Sequence, residues 1–472
     1  MFKSLTAKIK MTAASQSSVI HRASAGPGTN MGVGVGTGLP LTYPLSPSES
    51  AESVLFPVKG GEQASVESTL LEKIALLDPA YDECSPFYVC DVGEVRRQLR
   101  LWRSLLPFVQ PYYAVKCNPS RGFLGALAQL GVGFDCASQN EIRAVFEAHE
   151  ALGASVDTKR LIYANPIKPI SHLRFAHSHN VGLTTVDSLE EVEKIARYAA
   201  GMDVLVIITT DDSSAQCPLS VKFGADVPYS TKIVDRCVEL GVHVRGVAFH
   251  AGSGFEDAST LSKAVQDART VWDYANGRQF ARCDMLDVGG GFSKDGFVEP
   301  ARVLGGEIGR LFSGELASGE MSVISELGRF LSASCFTLAT NVIGTRREAS
   351  ADGASAAKDD KIRVYLNDGL YGNLNCILYD HQDVEPVVIT SAGRFVYGED
   401  TPVSTESGTR QYSIWGPTCD GLDCIKKRCL LSHDVHCGDW VGFRNAGAYT
   451  SAAATSFNGF ANEFECVFID TE

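Results

Sequence analysis

Short apolar runs alternate with helix-favouring stretches through the middle of the chain. The amphipathic segments Gln139–Leu152 and Ser188–Ala200 lie between such runs, and Arg121–Leu130 is also predicted to be helical. Strands that alternate with helices are typical of parallel βαβ units. Eight runs are predicted to be strands: Tyr112–Lys116, Gly133–Ser138, Leu161–Asn165, Gly182–Asp187, Val204–Thr210, Val244–His250, Met285–Gly291 and Val323–Arg329.

Eight strands separated by helices match a (β/α)8 barrel. An open, doubly wound sheet uses the same units, but we favour the barrel because eight strands complete it. Nearly every run ends in a polar residue or glycine: Lys116, Ser138, Asn165, Asp187, Asp211, His250, Gly291 and Arg329. Because the carboxyl ends of barrel strands form the active-site face, the sequence predicts a site at this rim.

The helical pattern fades after Arg329. Phe330–Thr345 and Lys361–Asn367 are predicted strands, separated by the polar, low-complexity loop Glu348–Asp360. Turn signals then punctuate short apolar runs to the end of the chain, which predicts an all-β second domain of β-sandwich or β-barrel-like form. The strand-like Phe87–Cys90, which precedes the barrel, is able to pair with that domain.

These patterns divide the chain into four parts. Residues 92–335 are the predicted barrel and residues 336–472 the C-terminal β domain, while residues 51–91 form an N-terminal segment that joins the β domain. Residues 1–50 are an extension rich in Ser, Thr, Ala and Gly, with no acidic residue before Glu49. That composition fits a mitochondrial transit peptide and fits a disordered tail equally well.

The overall composition is that of an ordinary soluble globular protein, with 44% hydrophobic and 21% charged residues. A net charge of −14 argues against nucleic acid as the main partner. The sequence has no apolar run long enough for a membrane helix. Its 14 cysteines lack metal-finger spacing, which indicates reduced thiols and a cytoplasmic protein, with no metal site expected.

Candidate chemistry lies at the strand ends. Lys116 is placed either to extend to solvent or to form a Schiff base with an aldehyde. The glycines at 289–291 allow close approach of a phosphate, although a tight loop explains them as well. His250, Glu326 and Arg329 each have an ordinary structural explanation when taken alone.

Taken together, these residues supply a Schiff-base lysine, a flat ring, a phosphate cradle with an arginine, and a carboxylate for a ring nitrogen. Those are the requirements of pyridoxal 5′-phosphate (PLP). An opposite charge beside the pyridine nitrogen keeps that nitrogen protonated, so that the ring accepts electrons when a bond to Cα breaks.

The motifs identify a family. From about Phe87 to Phe460 the chain resembles eukaryotic ornithine decarboxylases, whose fold is shared with alanine racemase, as a divergent fungal-type or specialised-metabolism member. The motifs that carry the resemblance are PYYAVKCN, GFDCAS, LIYANP, LSVKFGA, FHAGSG, LDVGGGF, NDGLYGNLNCILYDH, IWGPTCDGLD and GAYTSAAATSFNGF.

The resemblance implies roles for individual residues. Lys116 holds PLP, His250 stacks on its ring and Glu326 pairs with the pyridine nitrogen; with Cys419 these are the expected catalytic residues. The remaining expected cofactor-binding residues are Asp135, Glu141, Ser253, Gly290, Gly291, Gly328, Arg329 and Tyr449. The expected substrate-binding residues are Tyr379, Asp380, Cys419, Asp420 and Phe457, and the resemblance implies a homodimer in which Cys419 acts from the partner subunit.

Three positions depart from the family pattern. Ile207 stands where the family usually has arginine, which removes one charge near the cofactor. Leu327 replaces the proline of a Glu-Pro-Gly-Arg motif, and Phe330 replaces a tyrosine. Loss of the proline is expected to be mild, because the fold already sets that backbone.

The resemblance implies PLP-dependent decarboxylation of L-ornithine to putrescine, the step that supplies polyamine biosynthesis. One alternative is the same reaction on lysine or on a substituted diamino acid of a specialised pathway. The other is a catalytically inactive regulator that resembles the antizyme inhibitors. A regulator of that kind loses site residues, whereas Lys116, Asp135, Glu326, Cys419 and Asp420 are all present here.

Overall fold

The structure is a computed structural model. It describes residues 59–60, 64–78, 83–217, 219–255, 257–278, 281–347, 361–399, 411–460 and 464–472. The predicted N-terminal extension at residues 1–50 and the predicted loop Glu348–Asp360 lie outside the described residues.

Eight parallel strands form a closed barrel, as the sequence predicts. In chain order they are Val109–Ala114, Gly133–Cys136, Leu161–Tyr163, Leu183–Val186, Asp203–Ile208, Val244–Phe249, Ala281–Asp287 and Ser322–Leu327. The eighth strand pairs in parallel with the first, for example Glu326 with Tyr112, and this pairing closes the barrel. Each strand ends before the polar residue predicted at its end, so those residues lie in the loops of the rim.

Helices surround the barrel and begin at recognisable caps. The Ser138 side chain accepts a hydrogen bond from the backbone N–H of Glu141, and Asp226 caps a helix that ends at Gly241, where φ is +70°. Their bounds are Val92–Leu105, Arg121–Gln129, Gln139–Ala151, Ile170–Ser178, Leu189–Tyr198, Val227–Leu240, Ser259–Asn276, Val298–Leu311 and Ser313–Ser318. The predicted helices at 121–130, 139–152 and 188–200 are confirmed.

The interior of the barrel is a packed core. It is filled by Tyr112, Ile162, Leu183, Leu205, Ala248, Met285 and Ile324. Ala164 and Ile207 pack against this cluster. The strands approach closely at Gly246, where an added Cβ atom would lie 1.7 Å from the carbonyl oxygen of Met285. The functional cavity therefore lies above this core, at the carboxyl ends of the strands.

The described residues also form a second, mostly antiparallel sheet of nine strands. Its strands are Lys59–Gly60, Phe87–Asp91, Phe336–Arg347, Lys361–Leu366, Pro386–Val388, Gln411–Trp415, Cys424–Cys429, Trp440–Phe443 and Glu465–Asp470. Phe87–Asp91 pairs with Phe336–Arg347 on one side and with Glu465–Asp470 on the other. The expected pairing of Phe87–Cys90 with the β domain is therefore observed.

The prediction of a strand from Phe330 was wrong in its first residues. Arg329–Ser332 forms a helical turn, Ala333–Cys335 continues as a 3₁₀ turn, and the strand begins at Phe336. Phe330 packs beside Trp102 and Phe297, with ring centroids 5.5 and 4.6 Å apart. A run of consecutive buried residues has the apolar pattern of a buried strand in the sequence. The packing of Phe330 against Trp102 and Phe297 instead favours the helical turn.

Two further expectations concern cysteines and membranes. All 14 cysteines are free thiols in the structure. Among the residues that the structure describes, no helix combines the length and apolar character that a bilayer crossing requires.

Candidate active site

A cavity of about 490 Å³ opens at the barrel rim. Its walls combine barrel loops with parts of the second sheet's connections. Residues from both regions line it, among them Lys116, Asn165, Ile207, His250, Ser253, Glu326, Tyr379, Asp380 and Tyr449. Five of the eleven predicted cofactor residues thus line one cavity, although they are spread over more than 300 positions of the sequence.

Lys116 lies in the 3₁₀ turn Val115–Cys117, directly after the first strand. Its Nζ atom lies 3.4 Å from Oδ2 of Asp135, which is buried at the end of the second strand. The negative charge of Asp135 raises the pKa of Lys116 above its ordinary value, against the opposing effect of burial. The lysine side chain nevertheless keeps 41% of its surface accessible, because the cavity is open above it.

His250 presents a neutral ring to the same cavity. Its Nδ1 atom accepts a hydrogen bond of 2.9 Å from the backbone N–H of Gly252, which assigns the ring proton to Nε2. Burial and then the nearby charge of Lys116 lower the pKa of His250 to about 3. The ring is therefore uncharged at physiological pH, as suits a residue that stacks on an aromatic ligand.

Two carboxyl groups lie side by side on the seventh and eighth strands. Burial raises the pKa of Glu326 well above its usual value, and the charges of Asp135 and Asp287 act in the same direction. Asp287 accepts a 2.9 Å hydrogen bond from the N–H of Gly289, and burial raises its pKa to about 7. A proton held by this pair reduces the negative charge that the site must bury.

Glu141 supports the neighbouring wall of the site. Its Oε2 atom accepts a 2.7 Å hydrogen bond from the N–H of Ala137, which also lines the cavity. Burial raises the pKa of Glu141 to about 7, and the charge of Asp135 adds to this effect. Glu141 therefore places a further carboxyl group close to the Lys116–Asp135 pair.

The glycine loop after the seventh strand is pressed against its neighbours. A Cβ atom added at Gly290 would lie 2.2 Å from the carbonyl oxygen of Glu326. Gly291 has φ +90°, and a Cβ there would lie 2.0 Å from the carbonyl oxygen of Gly252. Gly328 is also confined, with an added Cβ 3.1 Å from the Cβ atom of Cys117. Backbone atoms alone form this part of the rim, as close approach of a phosphate requires.

Arg329 forms an ion pair with Asp380. Its Nη2 atom lies 2.6 and 2.7 Å from the two carboxylate oxygens, and 3.3 Å from Oγ of Ser253. The guanidinium also lies over the ring of Tyr449, 5.4 Å from its centroid. The predicted phosphate-binding arginine thus contacts the carboxylate that was predicted to bind substrate.

Three predicted residues lie elsewhere in the subunit. Cys419, Asp420 and Phe457 are exposed and are not part of the wall of the Lys116 cavity. They form a separate surface: the Cys419 N–H donates to Asn458, Asp420 accepts from the hydroxyl of Tyr371, and Phe457 stacks on the Tyr371 ring at 4.4 Å. Tyr379 stands at the cavity mouth and is largely exposed.

Several residues of the site were not predicted from the sequence. Asp287 lies within the apolar run Met285–Gly291 and was assigned to a strand, so its buried carboxyl was overlooked. Asn165 was noted only as a strand end, yet it lines the cavity and donates a hydrogen bond to the carbonyl of Ala137. An acidic residue inside an otherwise apolar strand is the signal that identifies Asp287.

These residues fit PLP. Oδ1 of Asp135 and Oδ2 of Asp287 are buried and have no hydrogen-bond partner among the described residues, which leaves polar groups for a ligand to satisfy. The glycine loop forms a cradle that side chains would fill, and Ser253 and Arg329 stand beside it. The donor set therefore matches an aldehyde that carries a phosphate and a ring nitrogen.

Comparison with known proteins agrees with this chemistry. A family model described as "Pyridoxal-dependent decarboxylase, pyridoxal binding domain" matches residues 92–333. The chain belongs to this family. Ornithine decarboxylase of Saccharomyces cerevisiae is 42% identical to this decarboxylase, over 83% of each chain. Ornithine decarboxylase of Candida albicans is 40% identical, over 84% of this chain and 86% of the relative.

Solved structures of related decarboxylases have the same fold. The arginine decarboxylase of Paramecium bursaria Chlorella virus is 28% identical, with a TM-score of 0.74 over 85% of this chain and all of that chain. The lysine/ornithine decarboxylase of Vibrio vulnificus, solved with putrescine, is 27% identical, with a TM-score of 0.67 over 84% of this chain and 98% of that chain. The protein is therefore a PLP-dependent decarboxylase with a barrel and a second, mostly β domain.

Proposed function

We propose that this decarboxylase converts L-ornithine to putrescine. The observation that carries the proposal is the carboxylate of Asp380, which lies in the wall of the cavity that contains Lys116. A carboxylate at that position suits a substrate whose distal end is an ammonium group. The ornithine decarboxylases to which the chain is about 40% identical support the same substrate.

PLP, when bound, supplies an aldehyde for the substrate amine and a protonated ring that accepts the electron pair released as carbon dioxide leaves. Lys116 would hold the cofactor, and Oδ2 of Asp135, 3.4 Å from its Nζ atom, would accept the proton that the lysine amine must lose. His250 would lie against the ring and Glu326 would pair with its nitrogen. The glycine loop, with Ser253, Gly328, Arg329 and Tyr449, would bind the phosphate.

The active site is shared between the two subunits of a homodimer. Cys419, Asp420 and Phe457 lie outside the Lys116 cavity of their own subunit, and all three are exposed. In the dimer this surface closes the partner's cavity, where Asp420 joins Asp380 at the distal ammonium and Cys419 acts at the decarboxylated carbon. Residues 92–335 serve as the cofactor-binding barrel, and residues 51–91 and 336–472 together as the second domain. We place the enzyme in the cytoplasm, where its 14 thiols stay reduced.

Lysine is the main alternative substrate, because Ile207 puts an apolar side chain in the cavity wall where the family usually has arginine. A longer aliphatic chain gains more from an apolar wall than ornithine does. The inactive-regulator alternative is disfavoured because each catalytic role is filled by a residue of suitable chemistry.

Two measurements test the function. The purified protein should be yellow. Borohydride reduction should attach the cofactor covalently to Lys116, and peptide mapping should locate it at that residue. Incubation with ornithine, lysine and arginine, followed by product analysis, should yield chiefly putrescine, and Lys116→Ala should yield none of the amines. Colourless protein that takes up no added PLP would contradict the enzyme assignment, and cadaverine as the main product would identify lysine as the substrate.

A further inference from the structure

The buried ion pair between Arg329 and Asp380 occupies two groups that the proposed function needs separately. The side chains of Arg329 and Asp380 are only 12% and 7% exposed. Asp380 lines the cavity with Lys116, whereas Arg329 lines a neighbouring pocket of about 650 Å³. In this arrangement the guanidinium neutralises the carboxylate, so that each charge has the other as its partner.

One nitrogen of Arg329 carries both interactions. Nη2 contacts both oxygens of Asp380 and also reaches Oγ of Ser253 at 3.3 Å. Ser253 belongs to the proposed phosphate site, so an anion bound beside its hydroxyl competes with Asp380 for the same Nη2 group. An anion at Ser253 therefore weakens the hold of Arg329 on Asp380.

Buried charges tolerate a change of partner better than the loss of one. Removal of one member of a buried ion pair is strongly destabilising, because the other charge is left unpaired. If an anion alone takes Arg329, then Asp380 stays buried without a cation; if a cation alone takes Asp380, then Arg329 loses its anion. When both ligands bind, each buried charge regains a partner of opposite sign.

We propose that the Arg329–Asp380 ion pair couples the two halves of the active site, so that an anion at the phosphate site releases Asp380 for the distal ammonium of the substrate. The proposal rests on the roles given to Arg329 and Asp380 under the proposed function. By linkage the coupling is reciprocal: a cation on Asp380 strengthens anion binding at Arg329 by the same factor. Without a bound phosphate, the substrate site is blocked by the protein's own arginine.

Calorimetric titration of the full-length, cofactor-free protein tests the coupling. Putrescine is titrated in the absence and in the presence of saturating inorganic phosphate, which lacks an aldehyde and cannot react with the amine. We expect phosphate to increase the affinity for putrescine by about tenfold, within the usual 5–150-fold range of coupling between sites. A salt control at equal ionic strength removes general screening from the comparison.

Two variants test the two members of the ion pair separately. Asp380→Asn should bind phosphate at least about fivefold more tightly than the parent, because Arg329 no longer has a competing carboxylate. Arg329→Gln should bind putrescine equally well with and without phosphate. Asp383→Asn is the matched control, since this nearby carboxylate is 84% exposed, pairs with Lys426 and does not line the Lys116 cavity. Circular dichroism checks that each variant is folded.

The outcomes distinguish the coupling from the site assignments. The coupling is refuted, while the site roles stand, if putrescine and phosphate both bind but neither changes the affinity for the other, and if Asp380→Asn leaves the phosphate affinity unchanged. If the parent protein binds neither ligand under any condition, the roles given to Arg329 and Asp380 are wrong, and the coupling falls with them.

Discussion

Individual residues of the site show an unusual balance of charge. Asp135, Glu141, Asp287 and Glu326 are grouped around the cation Lys116, and the ring of His250 nearby is neutral. Burial raises the pKa of all four carboxyl groups. Protons retained on this group therefore reduce the negative charge that is buried around Lys116.

Ile207→Arg tests how that position affects substrate choice. The arginine side chain is longer and charged, so it shortens the cavity and removes the apolar wall that favours a longer aliphatic substrate. We expect the ratio of kcat/KM for ornithine over lysine to rise by about tenfold, the usual scale for one methylene of discrimination. Ile207→Met, which is neutral and of similar volume, should leave the ratio near that of the parent. An unchanged ratio in the arginine variant would show that position 207 does not affect the choice between ornithine and lysine.

The lowered pKa of His250 predicts a dependence of stability on pH. Between pH 6.5 and 3 the unfolded chain binds a proton on this histidine and the folded chain does not, so stability falls as the pH falls. The loss at pH 4 is about 3 kcal/mol at most. In urea unfolding of cofactor-free protein, His250→Phe should lose less stability between pH 7 and pH 4 than the parent does. His177→Phe, at an exposed helix position, should follow the parent.

At the scale of elements, the rim loops decide what the barrel can bind. The loops after the sixth and seventh strands interlock through backbone contacts, and the N–H of Gly254 donates to the carbonyl of Gly291 at 3.2 Å. A change in either loop is therefore transmitted to the other, and through it to His250 and Ser253.

Gly291→Ala should disturb this interlock. A Cβ atom at Gly291 would meet the carbonyl oxygen of Gly252 at 2.0 Å, in a backbone conformation of positive φ. Fluorescence titration should show a loss of PLP affinity of about tenfold or more, equivalent to at least 1.4 kcal/mol. Gly296→Ala is the control: its φ is +74°, but an added Cβ has nothing within 4 Å. An equal loss of PLP affinity in the two variants would mean that backbone strain, and not the close contact at Gly291, determines the affinity.

The sequence predicts the elements better than it predicts their ends. All eight barrel strands were located because each is a run of apolar residues bounded by polar ones. Phe330–Cys335 was misread, because a buried helical turn and a buried strand are equally apolar. The Arg329–Asp380 contact was not foreseen, since its two residues lie 51 positions apart and meet only when the second sheet packs on the barrel.

At the scale of the whole molecule, the proposed homodimer gives each active site residues from two chains. Lys116→Ala and Cys419→Ala homodimers should each be nearly inactive, the first without cofactor attachment and the second with poor handling of the decarboxylated carbon. A mixed dimer of the two variants contains one doubly damaged site and one intact site. Mixing the inactive proteins under conditions of subunit exchange should therefore restore activity. If the subunits assort at random, half of the dimers are mixed and each mixed dimer has one intact site of two, so the activity should reach about a quarter of the parent value.

The unmixed Cys419→Ala homodimer tests the alternative that Cys419 has a purely structural role. If Cys419 is a small, non-catalytic residue, this variant should be nearly as active as the parent. Two inactive variants that exchange subunits, as shown by mass labelling, and yet regain no activity would contradict the shared site.

The strand Phe87–Asp91 has a consequence for synthesis of the protein. It is translated before the whole barrel, yet one of its partners in the sheet, Glu465–Asp470, is translated only after the barrel. Every residue of the barrel is therefore present before this early strand has its later neighbour. Asp380 and Tyr449 are carried by the domain that this late pairing completes. A nascent chain therefore contains all the residues of the barrel before it contains the strand that completes the second domain, and with that domain the wall of the active site.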